Sequence, residues 1–120
     1  MVKRIVVTGS REWEDRDVIR LAILDAADGH PFTIIVGDCP SGADRLTRLL
    51  CDAHDWEYKE YKADWRRLGK GAGVARNQVM ADAGGDVCLA FFWSAASNTG
   101  TADCAGRCEQ AGLEMRRYQG

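Results

Sequence analysis

Hydrophobic positions along the chain fall into two periodicities that alternate. Runs dominated by apolar and β-branched residues occupy residues 4–8, 32–36 and 87–93. Each reads as a strand, and the last has no polar alternation, the pattern of a strand buried on both faces. Between them the spacing changes to that of helices. Val18, Leu21 and Ala22, with Ile19, Ile23 and Ala26, recur on one helical face after a polar start at Asp15. Gly29 and Pro31 stop that helix. A second helix opens at Ser41, turns Ala43, Leu46, Leu49 and Leu50 inward, and ends near His54. A third runs from Val74 through Met80 to Ala83, and a fourth from about Thr101 to Ala111. Weaker strand signals lie at residues 57–61 and 113–118. Residues 62–73 read as a long glycine-rich loop, and residues 94–100 as a shorter one.

Five strands separated by helices predict one α/β domain of three layers, with a parallel five-stranded sheet and right-handed crossovers. No second domain, repeat or low-complexity segment interrupts the pattern. In such sheets ligands sit outside the carboxyl ends of the strands, where strand order reverses. The loops after the first four strands are therefore where function is expected.

Composition changes this picture little. The 120 residues are 46% hydrophobic, enough for a core without disulfides or metal. The formal net charge of −2 argues against a generic nucleic-acid coat. No apolar run is long enough to span a bilayer, and the chain reads as cytoplasmic. Five cysteines, an odd number without framework spacing, fit reduced thiols. Cys104 and Cys108 share a helical face but lack further ligands, so neither a metal nor a cofactor is expected. Helix four carries Ala102, Ala105, Gly106 and Ala111, which suits close packing against the sheet or a second copy of the chain; oligomeric state stays open.

Charge is distributed unevenly. From Lys59 to Arg76 six basic and two acidic residues give a net +4, leaving −6 elsewhere. That local inversion points to an anionic ligand. The loop after the first strand reads Gly9-Ser10-Arg11-Glu12-Trp13: a bare glycine for close backbone approach, helix-start amides, and a charged fork. It is not a G-x-G-x-x-G fingerprint. The next loop contains Gly37, Asp38, Ser41, Gly42 and Asp44. Ser41 and Asp44 fit a capping box; alternatively Gly42 leaves a bare helix N-terminus and Asp38 accepts hydrogen bonds from a ribose or an amine. The third loop holds Asp64, Trp65 and Lys70, with three glycines among the charges. The fourth, with Ser97, Asn98, Thr99, Gly100 and Thr101, is a phosphate cradle on physical grounds, or an N-cap supplied by Thr99 or Thr101. Trp13, Trp65 and Trp93 fall in or beside these loops and suit either base stacking or packing.

Gly9-Ser10-Arg11 with Trp13, Gly37-Asp38 with Ser41-Gly42-Ala43-Asp44, Ala63-Asp64-Trp65, Gly69-Lys70 with Ala72-Gly73, Arg76-Asn77, and Ser97 with Thr99-Gly100-Thr101 resemble the YspA-related family of the SLOG superfamily. The resemblance covers nearly the whole chain. It implies a Rossmann-like nucleotide-binding fold found in bacteria and their phages, with strand order 3-2-1-4-5. The superfamily also includes phosphoribohydrolases that carry an Arg-Lys pair and a Gly-Gly-x-Gly-Thr-x-x-Glu loop. Here those motifs fall on Arg76-Asn77 and on residues 96–104, with Cys104 at the glutamate position. Little or no hydrolase activity is expected as a result. A further member class binds single-stranded DNA through a basic surface, for which only residues 59–76 would serve.

The expected function is binding of a nucleotide or nucleotide derivative, as a sensor or sequestering module. Gly9, Ser10 and Arg11 would hold one side of the phosphate or ribose, and Asn98, Thr99, Gly100 and Thr101 the other. Lys70 and Arg76 would neutralise charge, and Asp38 and Asp44 would contact sugar or base. The alternatives are an N-glycosidic hydrolase of nucleoside monophosphates and a single-stranded nucleic-acid binder. With one short basic segment, the protein is expected to bind single-stranded oligonucleotides only weakly near 150 mM salt, in the range of about 10⁻⁴–10⁻⁶ M typical of non-specific contacts. A titration giving sub-micromolar affinity there would contradict this.

Overall fold

In the computed structural model, which describes residues 2–94 and 96–120, each apolar run becomes a strand of one parallel sheet. Met1, and Ala95 in the loop expected after the fourth strand, lie outside the described residues. The strands are β1 (Lys3–Gly9), β2 (Phe32–Gly37), β3 (Tyr58–Tyr61), β4 (Val87–Phe92) and β5 (Glu114–Gln119). Their order is β3-β2-β1-β4-β5, and every neighbouring pair is parallel. The helices are α1 (Arg16–Ala27), α2 (Gly42–His54), α3 (Trp65–Leu68), α4 (Ala72–Asp82) and α5 (Thr99–Gln110).

Alternate residues of the central strands feed two cores. Ile5, Val7, Ile34, Val36, Leu89 and Phe91 point to the face covered by α1 and α2. Val6, Ile35 and Cys88 point to the other face, against Met80 and Ala81 of α4 and Cys104 and Cys108 of α5. This two-sided burial explains why β1, β2 and β4 carry continuous apolar runs. The edge strand β5 is different. Arg116 pairs with Glu114 and Asp25, and Arg117 with Glu109, and charges of this kind discourage pairing with another sheet. No helix among the described residues is long and apolar enough to cross a membrane.

The structure corrects the expected layout of one segment. Residues 62–73 are not a continuous loop: they contain α3, a 3₁₀ turn at Gly69–Gly71 and the start of α4. The cause is Asp64, whose Oδ1 accepts from the Arg67 backbone N–H at 3.1 Å and caps α3. The glycine-rich run concealed that cap. Elsewhere helix ends agree with the sequence reading to within two residues.

Phe91 is the packing centre beneath the functional end of the sheet. Its ring meets Trp13 edge-on at 5.2 Å and stacks on Tyr118 at 4.9 Å. Phe91→Ala is expected to cost about 3–5 kcal/mol, read from urea-denaturation midpoints. A loss below about 1 kcal/mol would show that the site collapses around the missing ring.

Candidate functional site

A cleft of about 330 Å³ opens above the carboxyl ends of β1, β2 and β4. It spans the gap between β1 and β4, where the chain order reverses, which is the position the sheet topology favours for a ligand. Two close approaches build it. A Cβ on Gly9 would lie 2.5 Å from Ala43 Cβ and 2.9 Å from Phe91 Cβ. Gly42, at φ 68°, presses against the backbone of Ser10 and Arg11 with no room for a side chain. The Ala43 N–H donates to Ser10 O at 3.0 Å, so the first turn of α2 and the β1–α1 turn are locked together.

Along the near wall, Ser10 Oγ donates to Glu12 Oε2 at 2.9 Å and accepts from the Glu12 N–H at 3.2 Å. Arg11 is exposed and makes no side-chain hydrogen bond or ion pair among the described residues. Ser97, Thr99, Gly100 and Thr101 form the far wall, with the Ser97 and Thr99 hydroxyls 3.2 Å apart. The N-cap of α5 is Asn98, whose side chain makes no cap bond, and no acidic residue lies in the first turn. The Asn98 amide is turned back into its own loop, accepting from Trp93 N–H at 3.1 Å and donating to Trp93 O at 3.0 Å. The amides at the start of α5 are therefore uncapped by a side chain, with the positive end of the helix dipole facing the cleft.

Asp44 lies in the floor of the cleft, only 7% exposed. Its Oδ2 accepts from the Cys39 N–H at 3.3 Å. Ser41 makes no side-chain cap bond, so the capping box read from sequence does not form: the carboxylate turns inward, toward the β2–α2 loop. Burial pushes the Asp44 pKa up from 3.8 to about 6, against the pull of Arg76, the Cys39 hydrogen bond and Arg48. Gly37 makes room for this arrangement, since a Cβ there would sit 2.7 Å from Asp44 Oδ2 and 2.8 Å from Arg76 Nη1. Arg76 is held by Asp38 at 2.7 Å and by Asn77 Oδ1 at 3.1 Å. Asn77, buried, donates in turn to Asp103 at 3.0 Å.

Of the residues singled out in the sequence, Gly9, Ser10, Arg11, Asp44, Arg76, Asn77, Ser97, Thr99, Gly100 and Thr101 line this cleft. Asp38 and Trp65 line a neighbouring hollow instead. Gly37, Ser41, Gly42 and Asn98 shape loops around the cleft without lining it. Trp13 is a core residue, 2% exposed. Asp64 caps α3, and Lys70 sits exposed in the 3₁₀ turn outside both cavities. Thr8, Glu12 and Cys39 line the cleft although the sequence did not single them out. Their only signal was adjacency to the strand ends.

Cys104, where the resemblance read from the sequence would put a hydrolase glutamate, is fully buried. A hydrogen bond with Cys108 and burial push its thiol far above the ordinary range, with the Thr8 hydroxyl alongside. Asp103 is tied to Arg107 at 2.9 Å. Burial alone would raise its pKa, but hydrogen bonds from Arg107 and Asn77 outweigh that and hold it below the usual value.

Fold and cleft together define a Rossmann-like α/β protein with a polar cleft at its topological switch point. The family profile of YspA, cpYpsA-related SLOG proteins (YAcAr) matches residues 3–68. The Gene 61 protein of Mycobacterium phage D29 is 33% identical over 126 aligned positions, covering 98% of this chain and 97% of that protein. The chain belongs to the YspA, cpYpsA-related SLOG family. Membership points to nucleotide-related binding or processing. No solved structure matches the chain.

The buried carboxyl gives a pH signature. Because the folded-state pKa of Asp44 lies above 3.8, the folded protein holds the extra proton between about pH 4 and 6. Stability from the neutral form is full below that window and declines as pH rises through about 6, by roughly 3 kcal/mol for a shift of this size. Asp44→Asn is expected to flatten stability between pH 4 and 7 and to raise it at pH 7.5. Urea midpoints at several pH values measure this, and an unchanged pH slope would refute it.

Proposed function

We propose that the protein binds a nucleotide or nucleotide-derived ligand in the cleft between β1 and β4, with a phosphate group over the start of α5. One observation carries this reading: the uncapped first turn of α5 faces the Gly9-Ser10-Arg11 turn across the cleft, and the unpartnered Arg11 stands at its mouth. Helix-start amides and small hydroxylated side chains suit a phosphate, which a neighbouring guanidinium grips in a charge-assisted bond. Arg76 adds positive charge from the α4 side. Ionised Asp44 faces the same cleft and repels anions, so the phosphate belongs on the α5 wall and the sugar near Asp44.

A second reading, hydrolysis of an N-glycosidic bond, is favoured by one feature. Asp44 is a buried cleft carboxyl with its pKa pushed up to about 6, the range of a group that exchanges protons at working pH. Against it, the α5 side supplies a buried thiol, Cys104, where a carboxylate would stabilise the developing ribose cation.

Arg11→Ala is expected to weaken nucleoside monophosphate binding about tenfold or more, since a charge-assisted hydrogen bond is worth roughly 1.5–3 kcal/mol. Arg11 has no structural partner, so fold stability should not change. Calorimetry showing unchanged affinity would reject the placement. Assaying free base released from nucleoside monophosphates, with Asp44→Asn beside the wild type, decides between the readings. No release is expected; turnover abolished by Asp44→Asn would establish the hydrolase instead.

A further inference from the structure

Beside the cleft lies a hollow of about 170 Å³, lined by Arg11, Asp38, Cys39, Pro40, Trp65 and Arg76. Arg11, Cys39 and Arg76 line both cavities, so the two adjoin. Trp65 is the unusual member of this wall. It is 51% exposed, whereas Trp13 is buried and Trp56 and Trp93 are partly buried in the core. A half-exposed indole costs apolar solvation unless something covers it. It makes no aromatic or cation–π contact among the described residues.

Its position is nonetheless built. Asp64 caps the short helix that starts at Trp65, with a hydrogen bond to the Arg67 N–H. Gly73 of α4 lies beside the ring, where a Cβ would make ordinary van der Waals contact with the indole edge at 3.6 Å. The lining also includes the apolar ring of Pro40. Asp38 lines the hollow and is fixed there, one oxygen accepting from Arg76 at 2.7 Å and the other from the Ala63 N–H at 3.2 Å, each able to accept one bond more. An aromatic face, an apolar wall and a fixed acceptor suit a flat heterocycle carrying N–H donors. They do not suit a bare sugar phosphate.

We infer that this hollow is a nucleobase subsite in which Trp65 stacks on the base and Asp38 accepts from its donor edge. The inference rests on the proposed binding function and extends it: the ligand is a base-bearing nucleotide, not a sugar phosphate. The layout follows the sheet. Phosphate lies over β4 and β1, sugar over β1 and β2, and base beyond β2, under the helix that follows β3.

The test compares GMP, AMP and ribose 5-phosphate by calorimetry and tryptophan fluorescence, using the wild type, Trp65→Ala and Trp65→Phe. The nucleoside monophosphates are expected to bind at least about tenfold tighter than ribose 5-phosphate, in line with the value of one base–aromatic stack. They should quench emission in the wild type, with the quenching largely lost in Trp65→Phe. Trp65→Ala should reduce their affinity to that of ribose 5-phosphate and leave ribose 5-phosphate binding unchanged, while Trp65→Phe keeps most of the affinity. Ribose 5-phosphate binding as tightly as GMP and AMP, or nucleotide affinity unmoved by Trp65→Ala, overturns the subsite while leaving the phosphate site standing. Failure of all three probes to bind overturns both.

Discussion

The functional end of this sheet depends on how closely the β1–α1 turn approaches the start of α2. Gly9 meets Ala43 and Phe91 where any side chain would collide, and Gly42 does the same against Ser10 and Arg11. The Ala43 N–H bond to Ser10 O closes the seam. Ser10 is thereby buried at the cleft wall and Arg11 is left at its mouth. The same contact turns the first turn of α2 inward, which carries Asp44 into the floor instead of toward Ser41. One backbone constraint thus sets both the cationic and the acidic features of the cleft.

Electrostatics then links the walls. Asp38 holds Arg76, Arg76 donates to Asn77, Asn77 donates to Asp103, and Asp103 holds Arg107. This chain of bonds runs from the β2–α2 loop across α4 to α5. It fixes α4 between the two loops that face each other over the ligand cleft, so the wall positions do not depend on side chains that a ligand must order. Among the described residues no buried side-chain polar atom lacks a hydrogen-bond partner. Arg11 and Trp65 stand outside this network, and those are the groups with contacts to spare.

The fold was legible because two-faced burial leaves a coarse signal. The runs that became β1 and β2 have apolar, β-branched centres, β4 is apolar without alternation, and each is bounded by glycine or a polar turn. Strand order was not in the spacing; it came with the family resemblance. The cleft walls were partly legible, since Ser10 and Arg11 sit directly beyond β1 and Thr99 and Gly100 lie where the small, hydroxylated loop after β4 enters a helix. What sequence could not separate was which member of a loop faces inward. Asn98 and Thr99 are neighbours with similar chemistry, yet one folds back on Trp93 and the other lines the cleft. Trp13 and Trp65 likewise carry the same ring, and only tertiary packing makes the first a core residue and the second a surface. Asp44 read as a cap because Ser-x-x-Asp is a local pattern, whereas the Gly42 contact that redirects it is long-range.

With Cys104 where the family resemblance would put a carboxylate, α5 carries no acidic group in its uncapped first turn. A glutamate there would place negative charge beside the uncapped amides of α5 and compete with a phosphate for them. A neutral buried thiol, packed on Cys108 and Thr8, adds no charge to that wall. The acidic groups of the cleft and hollow are then Glu12, bound by Ser10, with Asp44 and Asp38 toward β2. Charge therefore grades along the sheet end, receptive to anions over α5 and acceptor-rich toward Trp65. A ligand that is anionic at one end and carries hydrogen-bond donors at the other matches that gradient in only one orientation. The same gradient disfavours a polyanion lying across the whole cleft, because its second phosphate would meet Asp44.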